Sequence, residues 1–292
     1  MLKDKLLKEK LPFITTLLRG IGQIMLMENG WTGLLFLIGV FYGSPIMAAG
    51  GTLGVLSGTL TARAFKYNPK EIEQGLYGFS AALVGVAITL FYQPVFSIWI
   101  AIAAGSIIAT MLQHYFIIKK IPVFTLPFVL VTWGLMLFFN YVVTIEPSAL
   151  LSKSYNIYAN YLFPFHGFGQ VIFQGSLFAG LIFVLAVFVQ SPLASLYGIA
   201  GAILAGLLAT YLPISTDNII IGLWSYNAVL SAIVFTGKKI SNAIWMAVAV
   251  ALTVLFYYLM LIANFPALTF PFVVATGLTI AFKRFFSTVK HR

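Results

Sequence analysis

Gln23 and Gln170 are uncharged hydrogen-bonding side chains set in strongly apolar sequence, and each follows a Gly-x-Gly spacing. A primary amide both donates and accepts hydrogen bonds, so this pair could bind a neutral polar solute. The glycines would allow the backbone a close approach there. The alternative role is a bond to a neighbouring helix, which is common for glutamine inside membranes. We expect the two glutamines to face each other, or to face something passing between them.

The two glutamines occupy equivalent places in an internal duplication. The segments 20–40 and 167–187 are offset by 147 residues and share seven of twenty-one residues. The duplication continues at Gly75 to Ala81 against Gly222 to Ala228, and at Pro122 to Thr132 against Pro266 to Thr276, where the offset is 144. We divide the chain into a first repeat, 1–143, a linker, 144–162, and a second repeat, 163–292.

A second candidate group is a pair of threonines in a repeated Pro-x-x-Thr-x-Pro-Phe motif, Thr125 and Thr269. Proline inside an apolar run removes an amide donor and disfavours helix at the preceding residue, so a helix is expected to start at each motif. Such irregular backbone is tolerated at membrane depth only inside protein or beside a wet cavity. We expect these hydroxyls to face that cavity, and Thr132 and Thr276 to serve in packing.

Apolar side chains at helical spacing complete the candidate site. Phe79 and Leu83, and likewise Tyr226 and Leu230, are four residues apart and share a helix face. An aromatic stripe is usually core or lipid contact, but equivalent residues of inverted repeats lie around one axis and can line a path there.

Composition defines what must position these residues. Of the 292 residues, 61% are hydrophobic and 8% are charged, which is typical of an integral membrane protein. Long apolar blocks favour helices over a barrel. There is no cysteine, and the three histidines are not spaced as ligands, so no metal or cofactor is expected. The net charge of +10 is dispersed over loops, which indicates membrane topology rather than nucleic-acid binding.

Proline, glycine and charge interruptions divide each repeat into six apolar segments. The first segment of each repeat carries the glutamine. The expected segments are 12–27, 31–43, 45–64, 76–92, 94–118 and 125–143, then 163–174, 177–190, 192–212, 219–235, 241–263 and 269–283.

The distribution of Lys and Arg favours one arrangement of these segments. If the first segment of each repeat only dips into the membrane, 16 of the 17 positive charges share one side, with Lys153 opposite. If it crosses, the split is ten against seven. Cytoplasmic loops collect Lys and Arg. We therefore predict an all-α polytopic protein of the cell membrane, with ten transmembrane helices, two re-entrant half-helices, an inverted repeat and both termini cytoplasmic.

Together these residues predict a neutral path lined by amides, hydroxyls, carbonyls and apolar walls. An ion would pay an uncompensated desolvation cost there, whereas a small neutral hydrogen-bonding solute would lose less. The rival hypothesis is an ion-coupled secondary transporter of a neutral metabolite, although no intramembrane proton relay is evident in the sequence. An intramembrane enzyme is disfavoured because no nucleophile or metalloprotease motif occurs.

At these residues the chain resembles the urea transporter family, in its bacterial form. The resemblance rests on the glutamine segment, Gly75-Leu76-Tyr77-Gly78-Phe79 and the duplicated proline motif, and it covers nearly the whole chain. It implies passive, channel-like permeation of urea, with short amides as possible further solutes. It also implies a homotrimer with one pore in each subunit.

The resemblance also assigns pore positions. Family positions for a pore carboxamide or carboxylate correspond to Gln23 and Gln170, and pore threonines to Thr125 and Thr269. The chain departs from the family pattern at three positions. Leu26 stands where an aromatic residue is usual, Tyr226 where phenylalanine is usual, and Ser80 where asparagine often follows the aromatic residue. Slot positions for a flat solute correspond to Leu26, Phe79, Leu83, Val171, Phe173, Tyr226 and Leu230.

Overall fold

The computed structural model describes residues 2–152 and 160–290, which fold into helices joined by short turns. Within those two ranges, β-type pairing is limited to one isolated bridge between Tyr92 and Pro147. The all-helical class predicted from composition is confirmed. Lys153, Arg292 and part of the predicted linker lie outside the described residues.

The helices keep the order that the duplication predicts, with short additional helices in the turns. They are α1 Leu2–Lys10, α2 Pro12–Gly22, α3 Gly30–Gly43, α4 Pro45–Ala64, α5 Pro69–Glu73, α6 Phe79–Phe91, α7 Phe96–Ile118, α8 Leu126–Tyr141, α9 Phe163–Gln170, α10 Leu177–Gln190, α11 Pro192–Ala209, α12 Thr216–Ile220, α13 Tyr226–Val234, α14 Ile240–Ile262 and α15 Phe270–Lys290; 3₁₀ turns occupy Gln23–Met25, Ala149–Ser152 and Asn160–Leu162.

The helix lengths and hydropathy are those of a multi-pass membrane protein. Four helices, α7, α11, α14 and most of α15, are long and apolar enough to cross a bilayer by themselves. The stretch Pro12–Met25 and helix α3 pass the same test together but are bent by 75° at the break between them, as in a broken span or a re-entrant loop. Shorter apolar helices, α6, α8 and α10, pack among them.

Several predicted boundaries are wrong, and most of them are wrong because apolar sequence can form a turn as well as a helix. The segment expected from 76 begins as helix only at Phe79, and the one expected from 219 divides into α12 and α13. Helix α9 stops at Gln170 instead of 174. Helix α15 runs on to Lys290 instead of 283, since charged residues continue a helix that has left the apolar zone.

Two glycines form the turns that shift those boundaries. Gly75 and Gly222 have φ values of +80° and +81°, a left-handed conformation that costs glycine little. A Cβ on Gly75 would lie 2.3 Å from the backbone nitrogen of Gly20, and one on Gly222 would lie 2.4 Å from that of Gly167. Each turn therefore packs backbone to backbone against the glycine-rich segment that carries its glutamine.

The two halves are joined through α3 and α10. The Phe36 and Phe183 rings meet edge to face with centroids 5.1 Å apart, and both side chains are fully buried. The Thr32 hydroxyl donates to the Ala186 carbonyl at 2.7 Å. The Asn29 amide, which also caps α3, lies 2.8 Å from the Gln190 amide oxygen. Buried polar bonds of this kind fix the pairing of two otherwise apolar surfaces.

Helix α1 binds the charged end of the first glutamine segment. The buried Asp4 carboxylate pairs with Arg19 at 2.5 Å and accepts the Gly30 amide at 2.7 Å, at the start of α3. Lys8 pairs with Glu73 at 2.7 Å, and this ammonium lowers the pKa of the Glu73 carboxyl. Arg19 thus anchors one end of α2, and α1 supplies its partner.

Replacing Gly75 or Gly222 by alanine should destabilise the protein by about 2 kcal/mol or more, because alanine is strained at this φ and its Cβ meets backbone that cannot move aside. The measurement is the thermal unfolding midpoint of purified protein in detergent. Gly134→Ala is the matched control, since nothing lies within 4 Å of its added Cβ. Equal midpoints for Gly75→Ala and Gly134→Ala would contradict the packing described above.

Candidate functional site

Each predicted glutamine is bonded to the turn in its own half. The Gln23 amide donates to the Gln74 carbonyl at 3.0 Å, and the Gln170 amide donates to the Ile221 carbonyl at 3.1 Å. Both bonds span 51 residues and end next to the left-handed glycines. Each glutamine amide is thus held within its own repeat, and among the described residues no hydrogen bond joins Gln23 to Gln170. In both halves the bond to the backbone carbonyl fixes the orientation of the glutamine amide. The Oε1 atom of each glutamine accepts no hydrogen bond from the described residues.

Paired left-handed residues show how closely the two repeats match. Leu26 and Phe173, 147 residues apart, have φ values of 64° and 57°. Phe124 and Leu268, 144 residues apart, have φ values of 49° and 44°. Such conformations are uncommon for side chains of this size. Each pair ends a glutamine segment or begins a proline-motif helix, so the irregular backbone is repeated with the sequence.

The two predicted threonines meet. Thr125 and Thr269 are almost fully buried, and their hydroxyl oxygens lie 2.6 Å apart, with either one able to donate. Each threonine directly precedes the first turn of its helix, α8 or α15. The proline motifs of the two halves therefore bring their hydroxyls together in the protein interior, and a helix starts at each motif, as predicted.

A cavity of about 210 Å³ leads to Thr125 from the first repeat. It brings together four of the predicted site residues, Gln23, Leu26, Phe79 and Thr125. None of its lining residues is charged, and its polar groups are amides, a hydroxyl and backbone. The remaining lining residues are Ile24, Leu76, Gln113, Ile117, Ile121, Pro122, Val123, Phe124 and Phe272.

The other predicted residues lie elsewhere. Leu83, Val171 and Leu230 are buried in the main hydrophobic core. Phe173 lines a different cavity of about 220 Å³ with Ser44 and Gln174, and its ring lies 6.3 Å from that of Phe128. Gln170 and Tyr226 belong to the second repeat and do not line the cavity of about 210 Å³.

Tyr226 differs from its first-repeat counterpart by using its hydroxyl. It donates to the Leu268 carbonyl at 2.6 Å, next to Thr269. The neighbouring Asn227 amide donates to the same carbonyl at 3.1 Å. Tyr226 therefore reaches the proline motif that carries the threonine pair, whereas Phe79, its counterpart, has no group that can donate.

One polar cluster was missed by sequence reasoning. The Tyr77 hydroxyl lies 2.5 Å from a Glu71 carboxylate oxygen and 2.9 Å from His114 Nδ1, and the His114 ring stacks on Tyr67 at 3.5 Å. Glu71 lies in α5, His114 in α7, and Tyr67 and Tyr77 in the connections on either side of α5, so no spacing in the sequence could reveal the contact. Tyr77 and His114 do not line the cavity, although Leu76 and Gln113 beside them do.

Thr132 and Thr276, expected to be packing residues, are fully buried. The Thr276 hydroxyl bonds Ser231 at 3.2 Å, while the Thr132 hydroxyl has no partner in the part of the chain that the structure describes. Across residues 2–152 and 160–290, no three His, Asp or Glu side chains are grouped so that they could hold a metal ion.

Apolar helices, repeated broken segments and an uncharged interior cavity define a multi-pass membrane transport protein. The family model described as "UT: Urea transporter" matches residues 14–284. The chain belongs to the urea transporter family, and the resemblance drawn from its motifs is confirmed. It is thereby assigned to a family of transporters rather than of enzymes.

Individual relatives agree with this assignment over most of their length. Urea transporter 1 of Ovis aries is 28% identical over 302 residues, and urea transporter 1 of Mus musculus is 29% identical over 301 residues. Each alignment covers 94% of this chain and 78% of the relative.

The threonine pair can be tested by a double-mutant cycle. Thr125→Val alone should lower the free energy of unfolding by about 1 to 3 kcal/mol, because it leaves the buried Thr269 hydroxyl without its partner. The double variant Thr125→Val with Thr269→Val should cost less than the sum of the two single variants. Unfolding in mixed micelles titrated with SDS measures each value.

Thr132→Val is the matched control, since it removes a buried threonine hydroxyl that has no partner. It should leave stability unchanged or raise it. Strictly additive costs for Thr125→Val and Thr269→Val would mean that the two hydroxyls do not interact.

Proposed function

We propose that this protein allows urea and short amides to cross the membrane passively through a neutral path within each chain. The observation that carries the proposal is the uncharged cavity that leads past Gln23 and Phe79 to the Thr125–Thr269 pair. Membership of the urea transporter family and the names of the relatives support urea as the solute.

Hydrogen-bond exchange makes such a path physically reasonable. Urea has one carbonyl acceptor and two NH2 groups with four N–H donors, and a row of carbonyl, amide and hydroxyl groups replaces its bonds to water. Each replacement is close to neutral, about 0.5 to 1.5 kcal/mol net. Binding at each step is then weak enough for release, as rapid conduction requires.

The proposed site residues follow from this path. Gln23, Gln170, Thr125 and Thr269 provide hydrogen bonds, and the side chains that form the walls are Leu26, Phe79, Leu83, Val171, Phe173, Tyr226 and Leu230. The repeated glutamine bonds and the repeated left-handed residues support equal treatment of the two halves.

We also propose the topology inferred from charge: ten transmembrane helices, two re-entrant half-helices and two inverted repeats, 1–143 and 163–292, joined by the linker 144–162. Both termini would lie on the cytoplasmic side of the cell membrane. The 75° bend between Pro12–Met25 and α3 supports a re-entrant first segment. Family membership supports a homotrimer.

Urea flux into proteoliposomes tests the function. Stopped-flow light scattering should show rapid urea entry that is unaffected by sodium or proton gradients. Flux that required either gradient would instead favour the ion-coupled transporter, for which Glu71, Tyr77 and His114 would be the first candidates for carrying protons.

Substitution of the path residues should slow urea in that assay. Gln23→Ala, Gln170→Ala and Thr269→Val should each lower flux by about 2- to 10-fold, corresponding to one lost hydrogen bond. Thr132→Val, a buried threonine away from the cavity, should keep the wild-type rate. Wild-type rates in all three path variants would exclude these residues from the route.

Topology can be tested by labelling, because the natural chain contains no cysteine. Lys5→Cys and Lys70→Cys should react with an impermeant thiol reagent from the same side, and Thr144→Cys should react from the other. All three positions are exposed. Reaction of Lys5→Cys and Lys70→Cys from opposite sides would overturn the inverted arrangement.

A further inference from the structure

The backbone that precedes α15 in the second repeat is closed by side chains. The Leu268 carbonyl accepts hydrogen bonds from the Tyr226 hydroxyl at 2.6 Å and from the Asn227 amide at 3.1 Å. The Pro266 carbonyl accepts the Trp133 indole N–H at 2.9 Å. A carbonyl oxygen has two lone pairs, so Leu268 has no acceptor capacity left for a solute.

The equivalent backbone of the first repeat is open. Pro122 and Phe124 stand 144 residues before Pro266 and Leu268. None of the described residues donates a hydrogen bond to the carbonyl of Pro122 or Phe124. Both residues line the 210 Å³ cavity that leads to Thr125.

Three substitutions between the repeats account for this difference. Phe79 stands where Tyr226 supplies a hydroxyl, Ser80 stands where Asn227 supplies an amide, and Gly277 stands where Trp133 supplies an indole. The short Ser80 side chain bonds toward Gln113 at 3.5 Å instead of reaching the proline motif.

The presence of Ser80 where the second repeat has Asn227 also leaves one backbone N–H without an acceptor among the described residues. Asn227 accepts the Phe272 backbone N–H at 3.3 Å, in the first turn of α15. The equivalent Phe128 N–H, in the first turn of α8, has no acceptor among the described residues. The first repeat thus offers open acceptors with an open donor nearby, which is the complement of an amide solute with both N–H groups and a carbonyl.

Open polar groups beside an apolar cavity are costly unless water or a solute bonds them. The proline motif of the second repeat already has such partners, Tyr226 and Asn227 from its own repeat and Trp133 from the first. A solute that crosses both halves therefore gains hydrogen bonds from the backbone of one proline motif and finds the other occupied.

We propose that Ser80, Tyr226 and Asn227 determine solute selectivity, because they leave backbone hydrogen-bonding groups open to a solute in the first repeat and closed in the second. Ser80 leaves the Phe124 carbonyl free to bind an N–H group of a planar amide and leaves the Phe128 N–H open beside it, whereas Tyr226 and Asn227 close the Leu268 carbonyl and form the less accommodating step. This inference rests on the proposed urea permeation. Tyr226 and Asn227 act through the carbonyl that they occupy.

Exchanging these residues between repeats provides the test, with urea and acetamide flux measured in proteoliposomes over a range of concentrations. Ser80→Asn should close the Phe124 carbonyl, lower urea flux about fivefold, equivalent to one lost hydrogen bond, raise the half-saturating urea concentration and reduce the urea-to-acetamide ratio, since urea has twice as many N–H groups to bind. Ser287→Asn, at an exposed serine near the end of α15 and away from the cavity, is the matched control and should behave as wild type.

Tyr226→Phe should free one lone pair of the Leu268 carbonyl while keeping the ring, and should raise urea flux about 2- to 10-fold, equivalent to one hydrogen bond. Tyr197→Phe is the matched control, because the Tyr197 hydroxyl makes an equally short bond of 2.6 Å to the Gly237 carbonyl away from the cavity. It should leave flux unchanged.

The proposal is overturned if Ser80→Asn keeps the wild-type half-saturation and solute ratio, or if Tyr226→Phe matches Tyr197→Phe. If Ser80→Asn does not fold, as judged by gel filtration and thermal unfolding, Tyr226→Phe decides by itself. Wild-type liposomes no faster than empty ones would instead refute the proposed function, so the two failures are distinct.

Discussion

Backbone groups in an apolar interior need hydrogen-bond partners, and the centre of this protein depends on how its interrupted helices meet that requirement. A continuous membrane helix satisfies itself. Helices α2, α8, α9 and α15 stop or start in the interior, and each leaves amides and carbonyls without helical partners. The glutamine amides, the threonine pair and the donors to the Leu268 carbonyl are all answers to this one requirement.

The two repeats satisfy this need for hydrogen-bond partners in the same way at some positions and in different ways at others. The glutamine bonds and glycine turns are nearly identical in the two halves, which indicates that they serve the fold. The second repeat adds a buried hydroxyl chain from Thr253 through Ser231 to Thr276. Val84 replaces Ser231 in the first repeat, and the equivalent Thr132 hydroxyl is unpaired. The first half is therefore the less fully bonded one, on the side where the cavity lies.

Much of this architecture could be predicted from the sequence. Prolines at positions 127 and 271 marked helix starts, because proline restricts the backbone in a way that neighbours cannot override. The duplication indicated that Thr125 and Thr269 were related. The chain is a member of the urea transporter family, as those repeated motifs indicated.

What the sequence could not show was the direction of individual side chains. Gln23 and Gln170 bond their own repeats because Gly75 and Gly222 bring a carbonyl within reach, a contact across 51 residues that no local pattern encodes. The open and closed carbonyls were equally hidden, since a left-handed φ at Phe124 or Leu268 has no sequence signal when the residue is not glycine. The cluster of Glu71, Tyr77 and His114 likewise forms only through folding.

The threonine contact between the repeats has a consequence for direction. Each hydroxyl can be donor or acceptor, so the Thr125–Thr269 bond has no fixed polarity and reverses by rotation of two hydrogens. A molecule inserted between the two oxygens meets the same choice of partners from either side. The Thr125–Thr269 contact therefore gives no preference for one direction of passage over the other.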